Sequence, residues 1–251
     1  MKKSFLSIAI IFTSFQFAHS QNVINKILNV QYKLLPISQY YFNHTDATPV
    51  EEKEFDVALR SGYNFKFNLS VNLKTNQSLF LLDTLIVTKV IGKEDYWTDP
   101  EDKPKYCIKD KSGNYFRRED ILNQVAYIKG NQTSIDWEIT NETIKILNFD
   151  CIKAVSKNKK YLISVWFTKD IPLSAGPSNF MGLPGLVLRA EDYFNTISVE
   201  KIYYTVNDGT FDKNYNKQLN EYNSQKKDDE IDDKIFLIKK EELNDQFMSQ
   251  R

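Results

Sequence analysis

Histidine is almost missing from this sequence: two occur in 251 residues, His19 and His44. That excludes a His-Glu-x-x-His zinc site, which the chain does not spell anywhere. Cysteine is equally scarce, with Cys107 and Cys151 standing 44 residues apart. Only eight glycines are present, which argues against long flexible linkers. Neither sign of charge prevails, with 33 basic and 33 acidic residues. A nucleic-acid or anionic-membrane footprint needs a basic excess, so composition speaks against both. No Gly-x-Gly-x-x-Gly, no P-loop and no repeating strand–helix–strand pattern occurs, which disfavours a nucleotide-binding α/β fold. No apolar run reaches the roughly 20 residues that a membrane-spanning helix needs.

What the N-terminus does have is an export signal. Lys2 and Lys3 precede an uncharged, mostly apolar run from Phe5 to Phe17, and Ala18-His19-Ser20 puts small residues at both key positions of a cleavage site. Residues 1–20 therefore read as a signal peptide, with the mature chain starting at Gln21 as a single mainly-β domain over 21–251. Cleavage removes two lysines and His19, leaving 31 basic against 33 acidic residues and His44 as the sole histidine. In an oxidising compartment Cys107 and Cys151 have two readings. A bridge closing so long a loop would add about 3–4 kcal/mol by chain entropy, and the alternative is a pair of buried thiols.

Aromatics are plentiful, with 14 Tyr and 17 Phe, and favour strands. Tyr63, Phe65, Phe67, Leu69, Val71 and Leu73 alternate strictly with polar residues, so 63–74 predicts a long strand with one wet face, as in antiparallel sheets. Thr75-Asn76-Gln77 turns it back into Ser78–Leu82. Tyr106–Lys109 and Asn114–Arg117 form a second hairpin about Lys111-Ser112-Gly113. Further strands are expected at Ile135–Ile139, Ile144–Phe149, Cys151–Ser156, Tyr161–Thr168, Leu186–Ala190 and Thr196–Val206, joined by short polar turns. Asn22–Gln31 reads as a short helix or an irregular first strand, 36–62 as loop followed by a short helix, and Asp95–Pro104 as loop. Residues 207–234 read as an exposed, polar segment, flexible or partly helical, Ile235–Ile238 as a last strand and Glu241–Phe247 as a terminal helix. The expected fold is mainly β: an antiparallel, curved or half-barrel-like sheet with a few short helices.

The densest cluster of backbone-special residues is Asp170–Arg189, DIPLSAGPSNFMGLPGLVLR. Asp170, Pro172, Gly176, Pro177, Phe180, Gly182, Leu183, Pro184, Gly185 and Leu186 form its signature. Proline fixes φ and glycine frees it, so the stretch specifies one shaped loop. Leu183-Pro184-Gly185 fits a type II turn with Gly185 at positive φ. The loop has two readings, a structural plug or an apolar recognition rim made by Phe180, Met181 and Leu183.

Gly182–Val187, with Cys151, Lys153, Ala154, Trp166, Phe167, Thr168, Ile171 and the loop residues above in the same order, resembles the signature of the GLPGLI family. These are exported bacterial proteins without an established biochemical function. The resemblance covers 149–191 most strongly and implies export but no reaction.

Reactive groups are few. Ser174 lacks a Gly-x-Ser-x-Gly setting, and one histidine would have to serve as base. Cys151 with His44 would make a thiol pair, but Cys151 lies in a strand pattern that points it inward. Asp170 suits a turn cap. Trp166 lies opposite Val165 and Phe167, as core packing or as a stacking platform. No catalytic, cofactor or metal residue is assigned. The expected function is a non-catalytic binding or structural component of the cell envelope. The alternatives are an exported enzyme with a thiol or carboxylate site, or a periplasmic carrier of an apolar ligand or peptide. Partners would be an envelope protein, a peptide or an apolar ligand, not nucleic acid. A filled concave face would favour the structural reading.

Overall fold

A computed structural model describes residues 25–36, 48–51, 53–54, 63–87, 106–121, 124–159, 163–192, 195–226 and 230–249. The expected signal peptide, the 95–104 loop and His44 lie outside them. The described chain forms one mixed sheet of twelve strands, almost entirely antiparallel and not closed into a barrel. The strands are β1 (Lys26–Pro36), β2 (Tyr63–Asn72), β3 (Ser78–Val87), β4 (Tyr106–Lys109), β5 (Asn114–Ile121) and β6 (Gln124–Asn131). They continue with β7 (Trp137–Ile146), β8 (Phe149–Ser156), β9 (Ser164–Thr168), β10 (Leu186–Glu191), β11 (Asn195–Val206) and β12 (Glu230–Asp232). Helix α1 (Thr210–Gln225) precedes β12, and α2 (Asp233–Ser249) follows it. The spatial order is β12-β6-β5-β4-β3-β2-β1-β11-β10-β9-β8-β7.

The period-two pattern of β2 does what it predicts. Phe65, Phe67, Leu69 and Val71 are buried, and β1 opposes them with Leu28, Val30, Tyr32 and Leu34. The first segment is thus a strand and not a helix. Phe67 stacks on Phe80 with ring centroids 4.8 Å apart. The 75–77 and 111–113 turns close their hairpins as expected. Asp110 accepts the backbone N–H groups of Ser112 and Asn114, and Gly113 takes φ +88°.

The sheet must curl, and its connectivity says so. β6 and β7 stand ten positions apart in the strand order, roughly 48 Å if the sheet were flat. Yet only residues 132–136 join them, a link that spans at most about 20 Å. One concave face results. It holds the main core, which takes in β1, β2 and β8–β11 together with Ile135, Ile171, Ala175, Met181 and Leu183. A second, smaller core lies on the outer face of β3–β6, where α1 packs Phe211, Tyr215 and Tyr222 against Leu79, Tyr106 and Ile108.

Two expectations fail here and a third holds in part. Residues 210–225 form the helix that a partly helical reading allows, but it is not simply exposed: it carries a buried aromatic stripe. Positions 211, 215 and 222 are spaced four and seven apart, on one helical face, and the polar majority around them hides the signal. Ile235–Ile238 is not a strand: Asp233 starts a helix, and Phe236 and Leu237 bury one side of it. Thr140-Asn141-Glu142 is not a turn between two strands. β7 runs through it with an irregularity between Ile139 and Thr143, because Thr140 donates to the Lys153 carbonyl and Lys153 reaches Glu142. The reversal comes at Leu147, at φ +52°.

Candidate functional site

The signature loop lies inside the curl. Its backbone is folded by short-range bonds, from Leu173 N–H to the Ile171 carbonyl and from Ala175 N–H to the Leu173 carbonyl, both 2.8 Å. It then docks beside β10: Leu186 N–H donates to the Ile171 carbonyl at 3.0 Å and Val187 N–H to the Ala175 carbonyl at 2.9 Å. The rest of the loop reaches two further strands, one on each side of β10 in the sheet order. Trp137 Nε1 on β7 donates to the Met181 carbonyl at 2.8 Å, and Lys109 Nζ on β4 donates to the Ser174 carbonyl at 3.0 Å. Gly176, Pro177, Leu183, Gly185 and Leu186 are buried, Phe180 is half-buried, and Asp170, Pro172, Gly182 and Pro184 are exposed. Met181 and Leu183 belong to the core and not to an exposed rim.

Gly185 does not take positive φ, so the type II turn is not formed. The positive-φ glycine of the loop is Gly182, at +93°. Gly185 is required for a different reason: a Cβ there would sit 2.0 Å from the Thr168 carbonyl oxygen. Gly176 is similar, with the Phe180 carbonyl oxygen 2.2 Å from a would-be Cβ. Ser174 is no free nucleophile, since its Oγ accepts the Gly182 N–H at 2.9 Å. Asp170 is exposed, and its own N–H donates to Thr168 Oγ1.

Beneath the loop lies a buried polar cluster that the sequence did not announce. β5 turns Tyr115, Arg117 and Glu119 inward, and the first residue of α2, Asp233, meets them with no exposed surface. Asp233 accepts from Tyr115 Oη, from Arg117 Nη2 and, at 3.0 Å, from Asn179 Nδ2 of the signature loop. Arg117 also pairs with Glu119 and lies under the Phe236 ring, 5.0 Å from its centroid. Lys240 stands 3.7 Å from both Glu119 and Asp192. Burial disfavours the Arg117 charge, but Asp233 and Tyr115 outweigh it and hold the guanidinium above its ordinary pKa. Burial, then the Asp233 charge, pushes the Tyr115 phenol up. Such a cluster fixes geometry more than it adds net stability, because desolvation offsets the attraction. It locks β5, the loop and α2 into one arrangement. β5 alternates Tyr115, Arg117 and Glu119 with Phe116 and Arg118, so polarity alone could not tell the inward face.

Cys107 and Cys151 are free and buried, on β4 and β8, seven strand steps apart in the sheet. The structure thus carries the two-thiol reading and not the bridge. Burial pushes their pKa values up to about 12 and about 11, away from thiolate reactivity. Among the described residues, no group of three or more His, Cys, Asp or Glu side chains is placed to hold a metal ion, and no helix is long and apolar enough to cross a membrane.

Lys109 is wholly buried and its pKa is lowered to about 8, chiefly by desolvation. The unfolded chain holds that proton to about pH 10.5, so the unfolded state binds more protons between about pH 8 and 10. Stability therefore rises with pH through that window as the buried charge is relieved. Thermal or denaturant unfolding at pH 7.5 and pH 9 is expected to show a rise of about 1 kcal/mol relative to Lys109→Met, which lacks the titrating group. Equal pH dependence in the two proteins would contradict the assignment.

A family model described as a protein of unknown function (Porph_ging) matches residues 155–189, from the end of β8 through the signature loop into β10. No curated protein matches the chain. Among solved structures, PNGF-II in a C2 crystal form is similar at 16% identity and a TM-score of 0.42, over 86% of this chain and 33% of that one. PNGF-II in a P21 form gives 17% and 0.40, over 72% and 28%. An uncharacterised conserved protein from Thermus thermophilus gives 6% and 0.36, over 88% and 98%. The matched region spans about a third of the PNGF-II chain.

Proposed function

We propose that this chain is an exported cell-envelope protein with a non-catalytic role, as a binding or structural component. The observation that carries the reading is the filled concave face. The signature loop occupies it, with Ile171, Ala175, Met181 and Leu183 in the same core as the strands. A carrier of an apolar ligand would need that space. A thiol enzyme would need an accessible, low-pKa cysteine, and burial pushes both thiols the other way. Export rests on the charge–apolar–small pattern of residues 1–20 and on the GLPGLI resemblance. Cell fractionation with mass spectrometry tests it. A chain beginning at Gln21 in the envelope or outside the cell is expected, whereas an intact Met1 on a cytosolic chain would overturn the proposal.

A further inference from the structure

The outer face of the sheet, where α1 does not cover it, carries one continuous cross-strand row. Pairing registers place Lys153 opposite Trp166, Trp166 opposite Arg189, Arg189 opposite Ser198, Ser198 opposite Lys33 and Lys33 opposite Lys66. Six neighbouring strands, β8, β9, β10, β11, β1 and β2, thus contribute one residue each. Their neighbours along the strands are core residues facing the other way, such as Tyr32 and Leu34 about Lys33, or Val165 and Phe167 about Trp166. The row holds four cations, one indole and no acid. Its carboxylates stand off the row: Glu142 on Lys153 at 3.0 Å, Glu191 on Arg189 at 3.2 Å and Glu200 on Lys66 at 3.6 Å. Lys33 meets no acidic side chain among the described residues. Lys153 Nζ lies 5.7 Å from the centre of the Trp166 ring, so cation and indole already form one unit.

We propose that this row is a binding platform for a linear acidic glycan, one whose sugars bear carboxylates, lying across the strands. Trp166 is partly buried and packs against the core, and the part of its ring left to solvent suits the apolar side of a pyranose. Arg189 presents a planar fork suited to a carboxylate, and Lys33 is a point charge beyond it. Adjacent strands are about 4.8 Å apart, so the six residues extend over roughly 24 Å, the reach of a short oligosaccharide. The exposed ion pairs at the margin are weak and exchangeable, so a ligand carboxylate can take the place of Glu191 or Glu200 at small cost.

The proposal deepens the envelope-binding reading, but its test uses purified mature protein, so its failure would leave export untouched. Isothermal titration with an oligogalacturonate at low salt is the assay, and a neutral glucan oligomer of similar length is the comparison. Binding of the acidic oligomer is expected, with affinity falling as salt is raised. Lys33→Glu and Trp166→Phe should each weaken it at least tenfold. Lys111→Glu, an equal charge change on the exposed β4–β5 turn, should leave it within twofold. Circular dichroism on each variant separates lost binding from lost fold, and Lys33→Glu, on the solvent side of β1, is the variant that decides. No binding of either oligomer, equal binding of both, or equal loss in Lys33→Glu and Lys111→Glu would each overturn the proposal.

Discussion

Asp233→Ala is expected to lower the unfolding free energy by about 3–5 kcal/mol, the loss typical of removing one partner from a buried ion pair. Asp233 is fully buried and accepts from Tyr115, Arg117 and Asn179 at once. Without its carboxylate, Arg117 keeps only Glu119, and two further buried donors lose their acceptor. An unpaired buried donor carries its full desolvation penalty, which makes the single substitution far worse than loss of a surface bridge. Replacing the charge on both sides tests the cause. Arg117→Met combined with Asp233→Ala should cost clearly less than the sum of the two single changes. Denaturant melts of the four proteins give the cycle. A loss under about 1 kcal/mol for Asp233→Ala, or strict additivity, would contradict the cluster as described.

Gly185→Ala is expected to cost about 3 kcal/mol, the upper end for forced overpacking. The added carbon would stand 2.0 Å from the Thr168 carbonyl oxygen and 2.8 Å from its carbon. Those are backbone atoms of β9, paired through Thr168 with Leu186, so relief requires β9 and β10 to separate where the loop joins the sheet. Pro184→Ala, at an exposed position that alanine can also adopt, should cost well under 1 kcal/mol. Thermal unfolding of both variants checks the order. Equal stability of the two would mean that the strands do not approach as closely as described.

The sequence anticipates that glycine for the wrong reason. Leu183-Pro184-Gly185 carries the chemistry of a type II turn, and nothing local discloses that a carbonyl from another strand lies against it. β2 was legible because one of its faces is wet, so polarity alternates visibly. The buried face of α1 was not, because three buried aromatics sit among thirteen mostly polar neighbours. The Arg117–Asp233 cluster was illegible for a related reason. A charge predicts an outward face, and only a partner 116 residues away turns Arg117 inward. The burial of the loop was within reach, since that much apolar surface on Met181 and Leu183 had to go somewhere. The two cysteines illustrate the limit of spacing: 44 residues permit a bridge, while the strand order sets them seven places apart.

The place of β1 in the sheet has a consequence for how the molecule comes to exist. β1 pairs on one side with β2, which follows within a few dozen residues, and on the other with β11, where Lys26 opposes Val206. Loop closure across such a separation is slow. A chain that emerges N-terminus first therefore carries a finished β1–β2–β3 meander with one open edge until nearly all of the sheet-forming sequence has appeared. That edge, from Lys26 to Pro36, alternates buried apolar residues with polar ones and would pair with another nascent chain as readily as with its own. The β1–β11 seam at the centre of the sheet thus closes late, and the yield of folded protein depends on keeping copies apart during that interval.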